Sequence, residues 1–351
     1  MSTPVAACER RDLRVLFVCK GLPRDGLGHV IRTRAVASAA HSRCVIEVVV
    51  IGGSIADSLL QGSVFTYAVV PDVAGATAVS HAFKPDVVVF DLLDLDGASF
   101  DEITRGSRSV TLSPVFESLA LVDKVFHRTK VPDPSWRLLD KRPEFRMGLE
   151  YTVIPEQHQQ ISTAIYEQTL TRNRLSVAVS MGGADAANRT LEVIRTLRAN
   201  RQKLLLWVLL GEGYAHSYQD LVDATRGAPH EIILAKTNDS MWHILATCAV
   251  AILAGGITTS QAVYAGLPSL NILESPERGF LVEELVSNGA CLRLGDTLDA
   301  SLAHLNETIE QLDAERDSLL QMHLRTRGLI DGEGARRIAE EIIVLAARPR
   351  A

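Results

Sequence analysis

Short runs of residues that are apolar on both faces, each followed by a helical pattern, recur along the whole chain and constrain its architecture more than any single motif. In the first half they are "LRVLFVCK" (Leu13 to Lys20), "CVIEVVVIG" (Cys44 to Gly52), "VFTYAVV" (Val64 to Val70), "DVVVFDLL" (Asp86 to Leu93) and "SVTLSP" (Ser109 to Pro114). A strand apolar on both faces must be covered on both sides, which predicts a parallel sheet sandwiched by helices. The rhythm restarts at "LSVAVSMGG" (Leu175 to Gly183) and continues through "KLLLWVLLG", "HEIILAK", "VAILAGG", "PSLNIL" and "ACLRLG". Between the two series lies "VPDPSWRLLDKRPEFRMGLEYTVIPEQHQQ", with four prolines and mixed charge, which reads as a linker. A chain of 351 residues is also long for one core. The expectation is therefore α/β: two Rossmann-like parallel-sheet domains over 1–154 and 155–330. A terminal helix in 331–351 ("DGEGARRIAEEIIVLAA") either completes the second domain or crosses back to the first.

Composition narrows the function classes. The chain is 47% hydrophobic and 22% charged, with a net charge of -6, so it has no overall basic field for a nucleic-acid backbone or an anionic membrane surface. A small anion must then be held by particular groups. The five cysteines lack C-x-x-C spacing and read as reduced, mostly buried thiols. "MSTPVAACERRDLR" has no apolar signal core, and no later run approaches the ~20 apolar residues a membrane span needs. A cytoplasmic protein without a transmembrane segment is expected.

In three places a strand runs into a glycine-rich turn and then a helix: "GLGHVIRT", "MGGADAANRT" and "AGGITTSQAVYAGLP". Such turns let backbone approach a ligand, and the N–H groups of the helix turn that follows suit an anion. Three of them at strand C-terminal ends, where open parallel sheets bind ligands, predict a phosphorylated ligand in a cleft between the domains. Neither common phosphate fingerprint is present. No G-x-x-x-x-G-K-[ST] occurs, and Ile31 stands where a dinucleotide fingerprint requires its third glycine.

The stretches "GLGHVIRTRAVA", "VSMGGADAANRTLEVI", "AGGITTSQAVYAGLPSLNI" and "DGEGARRIAEEI" resemble the nucleotide-sugar hydrolase of the pseudaminic acid pathway. They equally resemble its relatives among the spore-coat polysaccharide glycosyltransferases and, more distantly, the MurG transferase of peptidoglycan synthesis. The resemblance implies a GT-B fold: two Rossmann-like domains facing a cleft, nucleotide mainly on the second, and a final helix returning to the first. It further implies that Gly26, Gly28 and His29 form the sugar-facing turn, with the histidine activating the attacking group. By the same resemblance Gly182 and Gly183 lie near the diphosphate, and Gly255, Gly256, Thr258 and Thr259 close on phosphate and ribose. Gln261 stands where MurG-like proteins usually place a ribose-binding glutamate. "DLLDLD" (Asp91 to Asp96) has leucine where the hydrolase has tyrosine, and Glu277-Arg278 replaces its asparagine-glutamine pair.

Chemically, a neutral imidazole suits the base role for His29. Arg32, one helical turn on, and Arg278 are candidates for the diphosphate. Asp91, at the end of a buried strand, is placed to orient His29 or an acceptor hydroxyl, whereas Asp94 and Asp96 read as helix caps. Asp185 and Asn188 also read as caps, and Trp242 as core. The residues around Trp136 are expected to shape an acceptor site. No metal site and no cofactor is expected. The partners expected are a nucleotide-diphosphate-sugar donor and a small-molecule or glycan acceptor. Transfer by an inverting glycosyltransferase is the first expectation; hydrolysis at the same site, and binding without catalysis, are the alternatives.

Overall fold

A computed structural model describes residues 12–21, 27–53, 55–236, 241–273 and 275–348. Seven parallel strands form the first sheet: β1 (Arg14–Lys20), β2 (Val45–Ile51), β3 (Thr66–Val70), β4 (Val87–Asp91), β5 (Arg108–Thr111), β6 (Lys124–His127) and β7 (Glu144–Met147). Their order is β3-β2-β1-β4-β5-β6-β7. Six parallel strands form the second: β8 (Ser176–Ser180), β9 (Leu205–Leu210), β10 (Glu231–Lys236), β11 (Val250–Leu253), β12 (Ser269–Ile272) and β13 (Cys291–Gly295), in the order β10-β9-β8-β11-β12-β13.

Central strands are buried along their length, as runs without alternation require: every residue of β4, β8, β11 and β12 is buried. Edge strands are partly exposed, and β7 has no buried residue at all. Both sheets reverse direction of growth beside their first strand, between β1 and β4 and between β8 and β11. At such a reversal the connections on either side leave in opposite directions and open a crevice at the strand C-termini.

The structure differs from the sequence reading in the first half. Strands β6 and β7 carry no long apolar run, and β7 lies inside the stretch read as linker, paired in parallel with β6. Trp136, expected at an acceptor site, is buried and stacks on Phe145 with ring centroids 4.4 Å apart. Indole and benzyl faces are better satisfied by each other than by water.

The terminal helix, Gly334–Ala346, crosses back to the first sheet's side of the molecule. Its Ile338, Ala339, Ile342 and Ile343 share one core with Val15, Phe17, Val30 and Val36. Lys124 anchors it through Glu341, which also accepts from Arg146 Nε at 3.1 Å. Gly334 is required by contact: a Cβ there would come within 2.1 Å of the Thr152 carbonyl oxygen. No helix among the described residues is long and apolar enough to cross a membrane.

Candidate functional site

Strand β1 delivers the chain to the helix Gly28–Ala40, and adjacent β4 ends on Asp91, so the first reversal brings His29 and Asp91 together. His29 Nδ1 lies 2.6 Å from Asp91 Oδ1. Arg32, one turn along the same helix face, holds that carboxylate with both arms: Nε donates to Oδ2 at 2.7 Å and Nη2 donates to Oδ1. Burial by itself would raise the Asp91 pKa, but the Arg32 guanidinium and His29 more than offset it and hold the carboxyl below its usual range. A carboxylate facing Nδ1 fixes the ring as the Nδ1–H tautomer and leaves the lone pair on Nε2. The side chains of His29, Arg32 and Asp91 are 12%, 13% and 1% exposed; Arg32 lines the cleft cavity, whereas His29 is not among the residues that wall it.

Opposite this cluster stand the turns of the second sheet. A Cβ on Gly183 would lie 3.4 Å from Leu27 N, and one on Gly28 would lie 3.5 Å from the Ile257 side chain. The glycine turns of the two halves therefore nearly touch. Between them is a cavity of about 260 Å3 whose walls include Gly28, Arg32, Gly182, Gly183, Gly256, Thr258 and Gln261. Gly182 has φ +89° and admits no ordinary side chain without strain.

Two anion-seat expectations change in detail. The helix Arg189–Leu197 already has its N-terminus filled, because Asp185 accepts from Arg189 N at 2.8 Å and from Thr190 N at 2.9 Å. The caps expected in this region thus reduce to Asp185; Asn188 instead accepts from Tyr214 Oη. The helix Ile257–Ala265 begins at Gly256 with no side-chain cap, so the N–H groups of its first turn have no side-chain acceptor.

The remaining predicted residues divide by where they point. Thr259 is fully buried and donates to Asn271 Oδ1 at 2.6 Å, so its hydroxyl is used inside the second half rather than at the cleft. Gly255, with φ +73°, packs where a Cβ would meet Leu273 at 2.4 Å. Arg278 lies in the short helix Pro276–Leu281 and is not among the residues that wall the cavity. Gly26 falls outside the described residues. Asp96 caps the helix Gly97–Thr104 through Ser99 N, whereas Asp94 pairs with Lys20 at 2.6 Å instead of capping.

Sequence reading missed several wall residues: Ser180, Gly211, Glu212, His158 and Met241. Trp242 packs against the core of the second half, as read, and its half-buried ring also reaches the wall, 4.3 Å from the His158 ring between centroids. Gly211 carried a usable signal as the glycine closing "KLLLWVLLG", since a Cβ there would sit 2.4 Å from the Gly183 carbonyl oxygen. Among the described residues no cluster of three or more His, Cys, Asp or Glu is arranged to hold a metal.

No family profile matches the chain. It is similar to the spore coat polysaccharide biosynthesis protein SpsG of Bacillus subtilis, 22% identical over 326 residues that cover 89% of this chain and 93% of that one. Among solved structures, MurG of Acinetobacter baumannii superposes with a TM-score of 0.65 at 13% identity, covering 94% of this chain and 99% of that one. The Anabaena protein HepE, solved in complex with UDP and glucose, superposes with a TM-score of 0.66 at 11% identity, covering 95% and 99%. The fold is GT-B, two Rossmann-like domains with a C-terminal helix that returns to the first.

Proposed function

We propose that the protein is an inverting glycosyltransferase that uses a nucleotide-diphosphate-sugar donor. The observation that carries the proposal is the His29–Asp91 pair, 2.6 Å apart, directly after Leu27 and Gly28, which face the glycine turns of the other half. Residues 1–154 would carry the base and acceptor side, and residues 155–330 the donor side. The relatives support the donor class, since one bears the name of a polysaccharide biosynthesis protein and another was solved with UDP and glucose.

In the proposed step, His29 Nε2 takes the proton of the acceptor hydroxyl as its oxygen bonds to the anomeric carbon. The bond from that carbon to the phosphate oxygen breaks on the opposite face, and its electron pair leaves with the nucleotide diphosphate, so configuration inverts. Asp91 stabilises the imidazolium that forms. Gly182, Gly183 and the uncapped turn at Gly256 and Thr258 receive the diphosphate through backbone N–H groups, and Gln261 is assigned to the ribose hydroxyls. Arg32 is committed to Asp91 and acts by holding the pair in place.

The test is a panel of nucleotide-sugars, with nucleotide release followed with and without candidate acceptors. Release that rises at least about tenfold with one acceptor is the expected result. Equal release into water alone would make the protein a hydrolase, and tight binding without turnover would make it a binding protein.

A further inference from the structure

Immediately after β6 the chain forms a seam between the halves: Thr129 Oγ1 donates to the Phe280 carbonyl at 3.2 Å, and Lys130 N donates to Glu284 Oε2 at 2.6 Å. Arg128 lies in this seam. Its Nε is fully buried and has no hydrogen-bond partner, and among the described residues no carboxylate pairs with its guanidinium. Burial, and then the charges of Arg32 and Arg278, push its pKa down to about 9.

The side chain as a whole is partly exposed, but its buried Nε lacks a partner and the neighbouring cations Arg32 and Arg278 repel its charge, so an anion there would be favoured. The planar guanidinium fork fits one class of ligand above others, the oxyanions. Beside Arg128 is a small recess of about 20 Å3, walled also by Arg32, Phe126, Tyr151 and Ile338. It shares Arg32, Val153 and Ile257 with the main cavity, so the two adjoin. The recess admits about one water-sized group, which matches a single carboxylate or phosphate oxygen with the rest of the ligand in the main cavity.

We propose that Arg128, backed by the charges of Arg32 and Arg278, is an oxyanion site separate from the nucleotide diphosphate seat, taking a carboxylate or phosphate carried by the acceptor. The assignment to an acceptor rests on the glycosyltransferase reading; the oxyanion site itself does not. Since Arg32 is held by Asp91, the same side chain couples the anion to the His29 pair, and an acceptor bearing a negative group would be seated with its hydroxyl beside the base.

The protein is first titrated with UDP, and the UDP-saturated protein is then titrated calorimetrically with inorganic phosphate and, separately, with acetate at constant ionic strength. The wild type is expected to bind at least one probe alongside UDP. Arg128→Gln should weaken that binding at least about tenfold, consistent with loss of a charge-assisted bidentate contact, while leaving UDP affinity within about twofold. Arg128→Lys, which keeps the charge but not the fork, should fall between them and serves if the glutamine variant fails to fold. Binding of phosphate alone assigns a phosphorylated acceptor, and of acetate alone a carboxylated one. Failure of both probes to bind the UDP complex would overturn the site, as would a tenfold loss of UDP affinity in Arg128→Gln. If UDP itself does not bind, the functional reading falls, and titration of the same probes without UDP still decides the oxyanion site.

Discussion

The two halves share a strand order around their first strand and a reversal at the same place, yet they put different chemistry there. At the first reversal the turn after β1 leads into His29 and Arg32, and β4 ends on Asp91: three ionisable groups bound to one another. At the second, the turns after β8 and β11 offer glycine backbone, Ser180, Thr258 and Gln261, all neutral. Where the first half has histidine directly after its glycines, the second has Ala184 and then Asp185, which the local helix consumes as its cap. One scaffold thus yields a bonded His–Asp–Arg cluster at one reversal and neutral groups at the other, while the second half brings its ionisable groups, His158 and Glu212, to the cavity wall from elsewhere.

The sharpest way to break that division is His29→Ala. Turnover is expected to fall by about 10²–10⁴, the usual worth of a positioned base, with nucleotide affinity changed by less than about twofold. Kinetics together with calorimetric binding checks it. A parallel collapse of binding would mean that the first half also holds the donor. Asp91→Asn comes next: it leaves Arg32 facing a neutral amide and should cost about 3 kcal/mol of stability, read by denaturant unfolding, besides lowering turnover. Because the Asp91 pKa is depressed in the folded protein, its contribution is complete above the unfolded value near 3.9 and is lost as pH falls through the lower folded value. The variant should therefore lose less stability than the wild type on acidification.

The seam between the halves supplies a smaller test. His127 is buried against Trp136 and Phe280; burial, only partly countered by its bond to the Val131 carbonyl, pushes its pKa down to about 4. The unfolded chain takes up a proton near pH 6.5 and the folded one does not until about 4, so stability falls as pH drops through that window. The contribution is at most about 3 kcal/mol, and His127→Gln should flatten it in urea unfolding series at pH 7, 5.5 and 4.5. An unchanged slope would mean that the histidine is solvated and the seam open.

How much of this was legible depended on whether a residue's role is set locally. Strands β1, β4, β8 and β11 announce themselves because burial on both faces demands unbroken apolar runs. Strand β6, "KVFH", does not: Lys124 reads as a surface residue and is buried between Glu144 of the next strand and Glu341, which arrives from a helix more than two hundred positions away. Strand β7, "EFRM", is a short edge strand whose apolar face is only Phe145 and Met147, too brief a pattern to stand out. In the site, His29 and the glycine turns are visible because glycine followed by a titratable group is a local pattern. Thr259 facing inward is not, because helix rotation is set by what packs behind it. Arg128 gives no sequence signal; that no acid among the described residues pairs with it is visible only in three dimensions.

The least drastic change tests the holding side alone. Gly211 closes β9 beside the Gly183 turn, and a Cβ on it would lie 2.4 Å from the Gly183 carbonyl oxygen and 2.5 Å from its Cα, both backbone atoms that cannot rotate away. Gly211→Ala must therefore shift the Gly183 turn, which in turn faces Leu27. The His29–Asp91–Arg32 bonds belong to other elements and should persist. The expected outcome is a loss of nucleotide affinity of about tenfold, near 1.4 kcal/mol, with the turnover number at saturating donor within about threefold of wild type. If turnover falls instead while affinity holds, the second half takes part in the chemistry, and the separation of roles between the two reversals is wrong.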